Sequence, residues 1–176
     1  MTTTGASVPP KPLPPLADLA EVISYDPDTG VFTNRVTRNN CAKAGAVTGC
    51  RNQHTGYVVI RFRRQLYLAH RLAWLFVHGV DPGELDVDHI NGNQGDNRIS
   101  NLRLATRRQN LLNSKRAVTN TTGFKGVVRR KCGKFMGCIR TECGFRYTKS
   151  FDTAEEAAVA YRAISKQVAG EFARAN

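Results

Sequence analysis

Residues 85–110 read LDVDHINGNQGDNRISNLRLATRRQN, and the rest of the chain is best interpreted outward from this stretch. It opens on a β-type run that ends in Asp88-His89. A turn-rich loop follows, with Asn91-Gly92 and then Gly95-Asp96-Asn97, residue types that bend the backbone or bond to it locally. Leu102-Arg103-Leu104 then alternates as a second strand does. Thr106-Arg107-Arg108-Gln109 fits a capping box, with Thr106 as N-cap and Gln109 at the third helical position. Asn110 therefore falls in the opening turns of a helix. A β-β-α unit of this order can gather Asp88, His89 and Asn110 although the sequence separates them.

Those residue types suit phosphodiester hydrolysis. A histidine can take the proton from an attacking water near neutral pH, an effect worth roughly 10²–10⁴ in rate. A hard cation such as Mg²⁺ can stabilise the charge on the phosphate and the departing oxygen, and it takes oxygen ligands. Asp88 and the side-chain oxygen of Asn110 meet that need. One geometric condition comes with the reading. Strict alternation would send Asp88 and His89 to opposite faces, so the strand must end or bulge there.

With Asn101 twelve residues after His89 and Asn110 nine further on, the pattern resembles the HNH, or ββα-metal, nuclease motif. The flanking text VDHINGN and DNRISNLRLATRRQN is similar to that of phage-encoded HNH homing endonucleases. So is the preceding Leu68-Ala69-His70-Arg71-Leu72-Ala73-Trp74, and the resemblance covers roughly residues 16–113. It implies His89 as general base, Asp88 and Asn110 as ligands of one divalent metal, and Asn101 as a residue that fastens the loop. The last motif position is Asn here, where some family members have His, which favours Mg²⁺ or Mn²⁺ over zinc. Arg107 and Arg108, beside the motif helix, are candidate phosphate contacts. His54, His70 and His78 lack a paired carboxylate at motif spacing and read as packing or polar capping; Trp74, Leu75 and Phe76 read as core.

On the N-terminal side, five of the seven prolines lie between Pro9 and Pro15, so residues 1–15 are expected to be a disordered, extended arm. From Leu16 the pattern predicts a short helix, a turn over Asp26-Pro27-Asp28-Thr29-Gly30 and a strand from Val31. Tyr57 to Phe62 and Leu66 to Leu68 read as two strands about a polar Arg63-Arg64-Gln65 turn. His70 to His78 reads as a buried helix closed by Gly79.

On the C-terminal side, residues 114–122 read as a linker. Three strand signals follow, at 126–130, 134–140 and 145–151, with Gly133 and Gly144 in the turns. A helix capped by Asp152 or Thr153 comes next, with Glu155 and Glu156 in its first turn, where the dipole favours anions. Ala157, Ala160, Tyr161, Ile164 and Val168 form its apolar face, and Gly170 ends it. Phe124-Lys125-Gly126-Val127, Gly133-Lys134-Phe135, Cys138-Ile139-Arg140 and the helix Ser150 to Tyr161 together resemble an AP2 domain, the sheet-and-helix module of plant ethylene-response factors. That resemblance implies a DNA-binding module over residues 123–176, its sheet in the major groove. Arg130 and Arg140 match family arginines. Val128 stands where the family has an arginine, and Cys132, Phe135 and Tyr147 occupy common tryptophan positions, so the plant target sequence is not inherited. Arg129, Lys131, Arg146 and Lys149 are expected phosphate contacts, which position without reading sequence.

The whole chain fits this division. Its 176 residues carry 26 Lys and Arg against 14 Asp and Glu, a net charge of +12 that points to a polyanionic partner. The excess is +6 in residues 1–118 and +6 in residues 119–176. The longest strongly apolar run, Leu72 to Val77, is far short of a membrane span, and prolines occupy the place of a signal-peptide core. Five cysteines without an export signal suggest a reducing compartment, and the lack of a C-x-x-C spacing argues against structural zinc. The expectation is an α+β chain, an HNH ββα-metal nuclease domain followed by a small three-stranded-sheet-and-helix AP2-like domain. It would act on double-stranded DNA, away from membranes, in the cytoplasm of a bacterial host. The alternative is a sequence-specific DNA-binding regulator built on a catalytically decayed HNH domain.

Overall fold

Helix α1 (Leu16–Val22) runs directly into strand β1 (Ile23–Tyr25), which pairs antiparallel with β2 (Phe32–Asn34). The turn between the strands is held by Asp26, whose carboxylate accepts from the Asp28 N–H at 3.0 Å and the Thr29 hydroxyl at 2.8 Å. β3 (Val47–Thr48) adds to β2. A second antiparallel sheet contains β4 (Cys50–Arg51), β5 (Val58–Phe62) and β6 (Gln65–Leu68). β6 passes straight into helix α2 (Ala69–His78), which ends where Gly79 turns left-handed at φ 72° and its N–H bonds to Leu75 O. Leu19, Ile23, Phe32, Ile60, Leu72 and Val87 meet in one apolar core. Beyond it, β7 (Asp86–His89) pairs antiparallel with β8 (Leu102–Ala105), which is preceded by a single 3-10 turn over Ile99–Asn101. The computed structural model describes residues 11–114, 119–141 and 143–173.

The elements so far belong to one compact unit, which ends at Thr106; a second begins at Arg107. The second unit opens with helix α3 (Arg107–Asn113). It continues with β9 (Val127–Arg129), β10 (Phe135–Thr141), β11 (Gly144–Tyr147) and helix α4 (Ala154–Ala169). The three strands form an antiparallel sheet in the order β11-β10-β9. Thr153 caps α4 by accepting the Glu156 N–H. Val127, Ile139, Ala157, Ala158 and Tyr161 form the core between helix and sheet. Gly126 has no substitute there, because a Cβ would come within 2.0 Å of the Tyr161 ring.

Three expectations change. The proline-rich arm is not loose throughout: residues 11–15 form no helix or strand, yet Leu13 packs against the first core and its N–H bonds to Asp81 Oδ2 at 2.8 Å. Proline content set the conformation, but the leucine among the prolines set the attachment. Residues 1–10 of the expected arm lie outside the described residues. The unit boundary falls before α3 rather than after residue 113, because Leu112 packs into the second core and Lys125 Nζ donates to the carbonyls of Leu112 and Ser114. Of the expected linker, residues 115–118 lie outside the described residues. The third tail strand stops at Tyr147 instead of reaching Phe151, which returns as an isolated bridge to Phe135. Among the described residues no helix is long and apolar enough to cross a membrane.

Candidate active site

β7 carries Asp88 and His89 in regular register with β8, Asp88 opposite Arg103 and His89 opposite Leu102. There is no bulge. The strand ends at His89, where the Gly92 N–H turns back to the His89 carbonyl at 2.8 Å. Asp88 and His89 are both buried, at 5% and 4% exposure, so both faces at the end of β7 are covered. Each side chain has its own partner. Arg103 reaches across the ladder and brings Nε and a terminal N–H to Asp88 Oδ2, both at 3.0 Å. His89 Nε2 lies 3.3 Å from Asn97 Oδ1.

The Asn97 amide orients that imidazole. Its Nδ2 donates to Gly95 O at 3.4 Å, which turns Oδ1, an acceptor only, toward His89. In that orientation of the amide, the Nε2–H of His89 is the donor to Asn97. Burial lowers the His89 pKa, against the opposing pull of Asn97, Asp88 and Asp96, so the ring is neutral at neutral pH. That is the protonation state a general base needs.

The rest of the pocket comes from elements that sequence spacing does not connect to the motif. The His70 ring, on α2, meets His89 edge-on with centroids 4.9 Å apart. Tyr57 stands 5.1 Å from His70 and 5.9 Å from His89. Burial, then the neighbouring His89 and Arg71, push the His70 pKa down to about 3. His70 Nδ1 is buried without a hydrogen-bond partner. Arg71, next along α2, donates to the carbonyls of Leu85 and Gly83 and to Asp81, fixing the approach to β7.

The loop from Ile90 to Asn101 is tied by amides. Asn101 accepts the Asn91 N–H at 3.0 Å and donates to Asn91 Oδ1 at 3.1 Å and Asp96 O at 2.9 Å. Asp96 also takes Asn91 Nδ2 and two nitrogens of Arg98. Chiefly through Arg98, its pKa falls to about 2. The loop is also propped from behind. Tyr25 donates its hydroxyl to Asn97 O at 2.8 Å, and the Ile99 N–H bonds to Pro27 O at 3.1 Å. Gly30 lies so close that a Cβ would sit 2.4 Å from Arg98 N.

The structure thus brings Asp88, His89, Asn97 and Asn101 into one hairpin, with His70 and Tyr57 against it. Asn110, with Arg107 and Arg108, lies on α3 of the second unit, where Arg107 is exposed and Asn110 half-buried. Asn97, Tyr57 and Arg103 were missed by sequence reading, and His70 was assigned to packing. Only the Asx-rich loop hinted at Asn97; the other three are positioned by tertiary contacts alone. Among the described residues no group of three or more His, Cys, Asp or Glu could hold a metal ion. The two expected oxygen donors fall in different units, Asp88 on β7 and Asn110 on α3.

In the tail, cross-strand register sorts the expected DNA contacts by face. Arg140 pairs with Phe145 and Cys138 with Tyr147 on the side away from α4. Arg146 opposite Ile139, and Arg129 opposite Phe135, fall on the helix side, although both arginines remain exposed. Arg130 donates to Ser150 Oγ, and Lys149 lies 5.4 Å over Phe151. The expected set therefore does not share one surface.

Comparison with known proteins agrees with the hairpin. The HNH endonuclease family profile matches residues 67–112. An uncharacterised HNH endonuclease of Acanthamoeba polyphaga mimivirus is 30% identical over 122 residues, 69% of this chain and 63% of the viral protein. Protein 3.8 of Escherichia phage T7 is 33% identical over 115 residues, 63% of this chain and 94% of its own length. No solved structure matches the chain significantly. Residues 67–112 are thus matched as an HNH endonuclease domain, and the chain is similar to these viral proteins over most of its length. The chain spans about 63% of the mimivirus relative.

Proposed function

We propose that this protein is a metal-dependent, site-directed DNA endonuclease of the homing type, hydrolysing phosphodiester bonds in double-stranded DNA within the host cytoplasm. The supporting observation is His89: buried, held below the ordinary imidazole pKa by that burial, and hydrogen-bonded at Nε2 to Asn97. In this reading Nδ1 takes the proton of the attacking water as the oxygen–phosphorus bond forms. Arg103 aims the Asp88 carboxylate, and Asn101 keeps the loop that carries Asn97 in shape. Asp88 and Asn110 are the residues that would hold one Mg²⁺ or Mn²⁺, which supplies charge stabilisation at the phosphate and the departing oxygen when bound. Arg107 and Arg108 contact flanking phosphates. The sheet-and-helix tail acts as an AP2-like accessory binder, with Arg129, Arg130, Arg140, Arg146 and Lys149 as its basic contacts. Tethering raises the local concentration of the cutting unit at its target.

The test is cleavage of plasmid and phage DNA with Mg²⁺, with and without a chelator. The wild-type protein should cut only when the metal is available. His89→Ala should lower the cleavage rate by roughly 10²–10⁴ while DNA affinity stays nearly constant. Equal loss of cutting and affinity would remove His89 from the chemistry. Salt-sensitive binding without any cutting would replace the nuclease by a DNA-binding regulator.

A further inference from the structure

The first unit also has an open cleft of about 740 Å³ that involves none of the motif residues. It is formed by strands of the two three-stranded sheets and by the β5–β6 turn. Four arginines line it, Arg38, Arg61, Arg63 and Arg64, and no carboxylate does. Their roles differ. Arg38 is engaged in the fold, donating to Asn34 Oδ1 at 2.8 Å and to Arg61 O at 3.3 Å. Arg63 pairs with Asp18 at 2.8 Å, in a bridge whose arginine is 68% exposed and therefore easily exchanged. Arg61 and Arg64 are exposed and make no ion pair with any described residue.

The backbone adds a second, independent observation. β5 and β6 are joined by a two-residue turn, and both of its residues are left-handed, Arg63 at φ 45° and Arg64 at φ 66°. Such a turn favours Asn-Gly, which enters that region at little cost, whereas a long side chain does so against steric resistance. They are also the only described non-glycine residues with positive φ. Two arginines held at a strained tip, only one of them paired with a carboxylate and that one through an exposed bridge, beside a cleft lined by no acidic residue, call for an anionic occupant.

We propose that this cleft receives the phosphodiester backbone of the DNA substrate, with Arg61 and Arg64 on phosphate oxygens and Arg63 exchanging Asp18 for a phosphate. The proposal rests on the DNA-directed reading above. The cleft is open and its arginines project from a strand and a hairpin tip, which suits a passing polymer more than an enclosed small anion. Guanidinium forks match phosphate oxygens in pairs, and such contacts position the protein without reading bases.

The test uses the full-length protein and a short DNA duplex of arbitrary sequence, with chelator present so that affinity is measured without cutting. The double variant Arg63→Asn/Arg64→Gly keeps a left-handed turn and relieves its backbone, so its thermal midpoint should equal or exceed that of wild type. Its affinity should fall roughly tenfold or more at ~0.1 M salt, and the slope of log K against log salt should become shallower by about 1.8. Arg61→Gln should shift the slope by about 0.9. A folded double variant with wild-type affinity and slope overturns the proposal. Cleavage by wild type with Mg²⁺ is scored separately. Loss of affinity in the variants beside an inert wild type would keep the cleft and discard the nuclease reading.

Discussion

The antiparallel hairpins β7–β8 and β10–β11 have four paired positions each and differ in what covers them. On β7, Val87, Asp88 and His89 are buried in succession. On β11 all four residues are exposed, including Phe145 and Tyr147, whose rings lie 6.1 Å apart. In the first hairpin a carboxylate and an imidazole are removed from water, so each needs a partner, and Arg103 and Asn97 provide them. In the second, polar and aromatic groups remain in solvent and need none. The ladder is similar in both cases. Coverage turns one into a site whose polar groups are partnered and leaves the other a solvent-facing surface.

That contrast can be broken at its strongest point. After His89→Ala, whose effect is on rate, the largest expected change is from Arg103→Leu, which leaves Asp88 buried without its cross-strand cation. It should destabilise the protein by about 3–5 kcal/mol in denaturant unfolding. A loss under ~1 kcal/mol would show that Asp88 is hydrated and the site open. Asn101→Ala should cost about 1–3 kcal/mol, since the Asn91 N–H and the Asp96 carbonyl lose their partner. It should also lower the cleavage rate without weakening binding, because the loop that presents Asn97 loosens. Smallest is the effect on stability of Phe145→Ser/Tyr147→Ser, within about 0.5 kcal/mol. DNA affinity is expected to drop in that variant, and unchanged binding would make the tail sheet a solvated surface rather than a contact.

Much of the fold was legible in local signals. Gly79 closes α2 and Thr153 opens α4 as their sequence patterns require, because caps act within a few residues. β1 was invisible: Ile23-Ser24-Tyr25 follow α1 with no breaker, and only pairing with β2 makes them a strand. β3 and β4, two residues each, are likewise set by their neighbours. The site divides the same way. Asp88-His89 followed by an Asx-rich loop could be read directly, whereas His70 and Tyr57 carry no sign that they will lie against His89. The charge excess pointed to a polyanion but not to where it sits, and the Arg63-Arg64 pair gains its significance only from its backbone angles.

The turn over residues 26–30 has a consequence for any attempt to move this site elsewhere. The family profile begins at residue 67, yet Tyr25, Pro27 and Gly30 press on the loop that presents Asn97. Grafting residues 67–112 alone into another scaffold would carry the recognisable letters and leave their buttress behind. The smallest transplantable unit is therefore larger than the segment by which the family is detected.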